Sequence, residues 1–140
     1  MALLQQLSVS ATLLYCIGAA AVLIYLPFLV VGYGRVKAGY DMAAPRALFD
    51  KLPGFAQRAT WAHENSFESF MLFAAAALMA YVTQVNSPLA AKAAIAYVVA
   101  RLLYSVFYIL NLPLGRSLMF ALGSTSIATL MILSLAKVTP

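Results

Sequence analysis

Apolar residues run along this chain in four long blocks separated by short polar ones. No charged residue occurs from Met1 to Gly34. About 20 apolar residues cross a bilayer, so this stretch holds one full span plus interfacial turns, predicted over about 7–34. It is too long for the apolar part of a signal peptide, and no basic segment precedes it. Pro27 lies inside the span and predicts a kink near Ile24–Tyr25, because proline removes a backbone hydrogen bond. Residues 35–58 are charged and broken up by Gly39, Pro45, Pro53 and Gly54, which reads as a loop. A second helix is expected from about Arg58 to Val85, polar in its first three turns and lipid-compatible beyond them. Asn86-Ser87-Pro88 marks the turn into a third helix over about 89–110, with Arg101 inside it. Asn111 to Gly115 forms the next turn, and a fourth helix over about 115–137 is charge-free from Ser117 to Ala136. The pattern predicts an all-α integral membrane four-helix bundle, a single domain over residues 1–140, with no room for an extramembrane domain.

Composition narrows the class further. The 140 residues are 64% hydrophobic and 9% charged, with a mean hydropathy of +0.91. Soluble domains carry about 25% charged residues, and disordered chains are more polar still. One Cys and one His rule out an intrachain disulfide and the usual multi-ligand zinc site. The net charge of +5 forms no dense basic stripe, so no nucleic-acid partner is expected. In a membrane protein, basic residues orient the spans. Arg35, Lys37, Arg46, Lys51 and Arg58 crowd the first loop and Arg116 sits at the third connection, whereas the second has only Lys92. The first loop is therefore expected on the cytoplasmic side and both termini on the other.

Polar side chains inside a bilayer need a partner or a task. In the second helix Trp61, Asn65 and Glu68 fall at i, i+4 and i+7 on one face, with Glu64 beside them. The third helix carries Tyr97, Arg101, Tyr104, Tyr108 and Asn111 as a seam of the same periodicity. Arg116, Ser117, Phe120 and Ser124 continue it on the fourth. One reading pairs Glu68 with Arg101 simply to set helix register, with the tyrosines forming an interfacial belt. The other reading starts from charge. Arg35, Arg58, Arg101 and Arg116 outnumber Glu64 and Glu68, and such a cavity would attract an anionic ligand whose carboxylates arginine grips bidentately. His63 reads more readily as a hydrogen-bonding packer than as a base. Cys16 reads as a small apolar packing residue. A non-catalytic ligand-binding or structural membrane protein would use the same seam. A transporter would be expected to show repeats or broken helices, and none is evident.

Taken together, Arg58-x4-His63-x-Asn65-x2-Glu68, Arg101-x2-Tyr104-x3-Tyr108 and Pro113-x2-Arg116-Ser117, set on four spans, resemble the MAPEG family. These are the membrane-associated proteins in eicosanoid and glutathione metabolism, and the resemblance covers essentially the whole chain. It implies a homotrimer with active sites between neighbouring subunits near the cytoplasmic face. It also implies glutathione as co-substrate and a lipophilic partner substrate reached through the bilayer. By the same resemblance, Arg35, Arg58, Asn65, Glu68, Arg101, Tyr104 and Tyr108 would bind glutathione, with Glu68 on its amino group. Arg116 would stabilise the thiolate, with Ser117 beside it. The expected activity is transfer of glutathione to lipophilic electrophiles, and by extension reduction of peroxides. Three positions depart from the family pattern: Trp61 stands where an arginine is found, Glu64 where a basic or apolar residue is common, and Phe120 where a tyrosine is found. The chain is similar to compact bacterial-type members in these respects.

Overall fold

In the computed structural model, which describes residues 7–139, four long helices run antiparallel. They are α1 (Val9–Lys37), α2 (Gly54–Val82), α3 (Pro88–Ile109) and α4 (Pro113–Val138), with a 3₁₀ helix at Pro45–Lys51 in the first loop. All four are long and apolar enough to cross a membrane. The terminal residues 1–6 and 140, to which the expected sidedness of the termini refers, lie outside the described residues.

Local chemistry explains where the helices begin. The Ser8 Oγ accepts from the Ala11 N–H at 3.2 Å and the Ser87 Oγ accepts from the Leu89 N–H at 3.2 Å, which satisfies free donors at two N-termini. Pro88 and Pro113 occupy first-turn positions, where a missing N–H costs nothing. α2 starts directly after Pro53, four residues before the expected Arg58, because a proline with its φ preset opens a helix as readily as it breaks one.

The ends differ from expectation in an informative way. α1 continues past Gly34 to Lys37, where Arg35 and Lys37 meet the negative end of the helix dipole. Gly34 does not stop the helix. It lets α1 approach α2, since a Cβ there would collide with the Ala56 methyl. α2 ends at Val82, with Gln84 at φ 54° and the Val85 N–H reaching back to the Ala80 carbonyl at 3.0 Å. α3 ends the same way, with Asn111 at φ 59° and the Leu112 N–H bonded to the Phe107 carbonyl at 2.8 Å. Both are left-handed C-terminal closures made without glycine.

α1 packs mainly on α2 and α3 on α4, while α2 and α3 meet across the centre and α1 and α4 take opposite corners. The interior is built on small residues: Ala56, Ala59, Ala62, Ala76, Ala77 and Ala80 of α2 and Ala90, Ala93, Ala94 and Ala100 of α3 are all buried. Without a hydrophobic drive between helices in lipid, such residues let van der Waals contact do the work. Larger side chains fill the centre, where Phe73 stacks on Tyr97 at 3.8 Å, and Cys16 packs into the same core. Ser126 and Ser134 hydroxyls donate to carbonyls one turn back at 2.9 and 2.7 Å, which satisfies them within their own helix. Leu14, Val22, Leu29, Leu72 and Ile132 point outward, as lipid-facing positions do.

Candidate functional site

The α2–α3 interface is joined by polar contacts at three depths. The Arg58 Nε donates to the Ile109 carbonyl at 3.0 Å, closing the C-terminus of α3 with a cation. Deeper in, the Arg101 Nη2 donates to the Asn65 Oδ1 at 3.2 Å and to the Ser66 Oγ at 3.0 Å. Deeper still, the Ser69 and Tyr97 hydroxyls lie 3.0 Å apart. Arg101 is only 4% exposed, its Nε has no partner among the described residues, and its guanidinium lies 4.0 Å from the Tyr104 ring centroid. The expected Glu68–Arg101 pair is not formed within the protomer. Asn65 and Ser66 occupy the side of α2 that faces α3, whereas Glu68 is rotated off it and exposed.

Two cavities flank this interface. The first, about 590 Å³, lies between α1, α2 and the first loop, in the range of small-molecule sites. Thr60, His63, Glu64, Phe67 and Glu68 recur along one face of α2 and form its longest wall. Arg35 and Phe28 of α1 face them, and the 3₁₀ helix brings Arg46 and Phe49 over the top. His63 is fixed by its neighbours: its Nδ1 lies 2.8 Å from the Ile24 carbonyl, and a carbonyl only accepts, so this nitrogen carries the proton. Ile24 lies in the turn just before Pro27, and the Phe28 ring lies 5.1 Å from the imidazole. His63 is thus the hydrogen-bonding packer of α1 against α2.

The second cavity, about 320 Å³, is formed by Tyr104 and Tyr108 of α3 with Arg116, Ser117 and Phe120 of α4. The Arg116 guanidinium sits 4.6 Å over the Tyr108 ring, and Tyr108 meets Tyr104 edge-on at 5.5 Å. Arg101, Tyr104, Tyr108 and Arg116 therefore form a series of cation, ring, ring and cation through the helix pair. Arg116 is in the first turn of α4, where the positive end of the helix dipole adds to its charge and favours an anion. Phe120 takes its place against Tyr104 at 6.4 Å without a hydroxyl.

The anticipated residues thus divide into three groups. Arg35 and Glu68 line the first cavity, Tyr104, Tyr108, Arg116 and Ser117 line the second, and Arg58, Asn65 and Arg101 line neither. Arg46, Phe28, Phe49 and Ser66 were not anticipated. Ser66 was marked by its place in the helical stripe Ala59–Ala62–Ser66, but Arg46 carries no signal short of the loop's fold.

Depth matters as much as grouping. Arg58 is level with the last residue of α3. Glu68 is ten residues farther along α2, roughly 15 Å, which is about half the hydrocarbon thickness. An exposed carboxylate at that depth belongs against protein or ligand rather than lipid.

These features define a polytopic membrane protein whose intramembrane polar residues lie partly in the α2–α3 interface and partly along two flanking cavities. The profile of the MAPEG family matches residues 12–136, and the chain belongs to that family, whose members are often glutathione transferases. No curated protein and no solved structure matches it.

Proposed function

We propose that the protein is a glutathione transferase acting on lipophilic electrophiles, with each site completed between subunits of a homotrimer. The observation that carries this reading is the separation of the two cavities. Glu68 and Arg35 lie on the α1–α2 side and the Arg116–Tyr108 pair on the α3–α4 side, so one protomer offers two half-sites. Bringing the first cavity of one copy against the second cavity of the next gives Glu68 the cover its depth requires. Gly18 and Ala19 of α1 face outward, and small residues there permit close helix contact between copies.

The chemistry follows from charge. Glutathione carries two carboxylates and one ammonium. Glu68 takes the ammonium and Arg35 a carboxylate, while Arg116 faces the sulfur. A free thiol has a pKa of about 8.5, and a neighbouring cation lowers it. The thiol proton leaves to solvent. The thiolate then forms a carbon–sulfur bond at an electrophilic centre presented from the bilayer, and the displaced leaving group departs with the bonding pair. No protein nucleophile is needed. Turnover of a generic aryl halide with glutathione by the purified protein tests the activity. Native mass spectrometry in mild detergent tests the assembly, and a stable, fully active monomer would overturn the shared site.

A further inference from the structure

Arg101 is 4% exposed and lines neither cavity, so its cation is sealed away from a ligand held in either. Its contacts point to a different task. The Arg101 Nη2 ties α3 to Asn65 and Ser66 of α2. Its stem lies against α4, where a Cβ on Gly123 would be 3.9 Å from the Arg101 Cδ. Its guanidinium covers the Tyr104 ring, 4.0 Å from the centroid. Tyr104 is where this chain of contacts reaches the second cavity. It meets Tyr108 edge-on at 5.5 Å, and the Tyr108 ring carries the Arg116 guanidinium at 4.6 Å. An arginine side chain has many rotamers, and a ring beneath its guanidinium restricts them.

We propose that Arg101 is a positioning residue for the thiolate site: it fixes the Tyr104 ring, Tyr104 seats Tyr108, and Tyr108 holds Arg116 toward the sulfur. The proposal rests on the reading of Arg116 as the cation that faces the thiol. A desolvated cation on a ring face is a stronger contact than an apolar neighbour of the same volume. The two bonds to α2 keep the guanidinium from swinging off that face, so Tyr104 is held from α2 through Arg101. With the charge removed, the ring keeps its space and loses its fixed orientation. The loss passes along the rings to Arg116 as a wider spread of positions. A cation that spends less time beside the sulfur stabilises the thiolate less, and the bound thiol's pKa rises.

Ultraviolet titration of glutathione bound to the purified full-length protein, paired with calorimetric binding, reads this directly. Arg101→Met is expected to raise the bound thiol's pKa by about half a unit, which is about threefold less thiolate at any pH well below that pKa. Glutathione affinity should stay within about twofold of wild type, and turnover should fall at low pH and recover as pH rises. Arg101→Lys keeps the charge without the planar face; it is expected to shift the pKa in the same direction and serves if the Met variant does not fold. Tyr104→Leu is expected to shift the pKa as far as Arg101→Met does, and the double variant no farther, because a residue that acts through a ring has no effect once the ring is gone. An unchanged titration in the Arg101 variants, additive shifts in the double variant, or a tenfold loss of affinity at unchanged pKa overturns the proposal and leaves the glutathione reading standing. If the wild type binds no glutathione, that reading falls and the proposal with it.

Discussion

Arg101 offers a test of how this bundle holds a buried cation. Its guanidinium donates to Asn65 and Ser66 and rests on the Tyr104 ring. Hydrogen bonds from a charged donor contribute about 1.5–3 kcal/mol each, and a desolvated cation–ring contact about 2 kcal/mol. Against this stands the removal of a guanidinium from water, several kcal/mol in practice, with its Nε left unpartnered. The two sides nearly cancel, so the charge itself contributes little net stability. Arg101→Met keeps length and apolar volume, and the Ser66 hydroxyl can turn to the carbonyl one turn back, as Ser126 and Ser134 do. We expect Arg101→Met to lie within about 1 kcal/mol of wild type. Arg101→Ala also opens a hole beside Gly123, whose added Cβ would be 3.9 Å from the Arg101 Cδ, and should cost about 3 kcal/mol. Reversible unfolding of the detergent-solubilised protein in increasing denaturing detergent measures both. If Met and Ala are equally and strongly destabilising, the charge is paired with an anion that this account leaves out, and the near-cancellation is wrong.

Arg116→Ala should leave assembly and most glutathione affinity intact but raise the bound thiol's pKa by about one unit, which corresponds to about 1.4 kcal/mol. A raised pKa means less thiolate at neutral pH, so turnover falls at pH 7 and recovers as pH rises; an unchanged ultraviolet titration of the thiolate would refute the role. Gly34→Val should force α1 off α2 at Ala56 and displace the adjacent Arg35, lowering the melting temperature by an amount equivalent to about 1–3 kcal/mol. Gly34→Ala alone meets the same clash, and adding Ala56→Gly to it should restore most of what it loses; failure of that rescue would mean the contact is not the cause. Single cysteines at Ala44 and at Ser87, introduced with Cys16 replaced, should label from opposite sides of the membrane, with Ala44 cytoplasmic. Labelling of both from one side would contradict the orientation argued from the basic residues.

The four spans were legible in the chain because span formation is a local property. A charge-free run of sufficient length has one stable form in lipid, and every backbone group in it is satisfied within the run. Pairs of ends were harder to read: Gly34 and Pro53 look like stops, yet one is a helix contact and the other a helix start. The polar seam was equally legible as a set of residues, since Asn65, Glu68, Arg101, Tyr104, Tyr108 and Arg116 stand out in an apolar background. Their partners were not. Asn65, Ser66 and Glu68 lie within one turn of one another, and at about 100° per residue a modest rotation of α2 decides which of them meets Arg101. In the packed bundle α2 presents Asn65 and Ser66 to Arg101 and leaves Glu68 exposed. In the same way, only the folded loop brings Arg46 over the cavity, and only the α1–α2 contact hands His63 the carbonyl of Ile24. Hydrophobic length depends on residues near in sequence. The partners of a polar side chain depend on which helix faces meet, and that is decided when the helices pack.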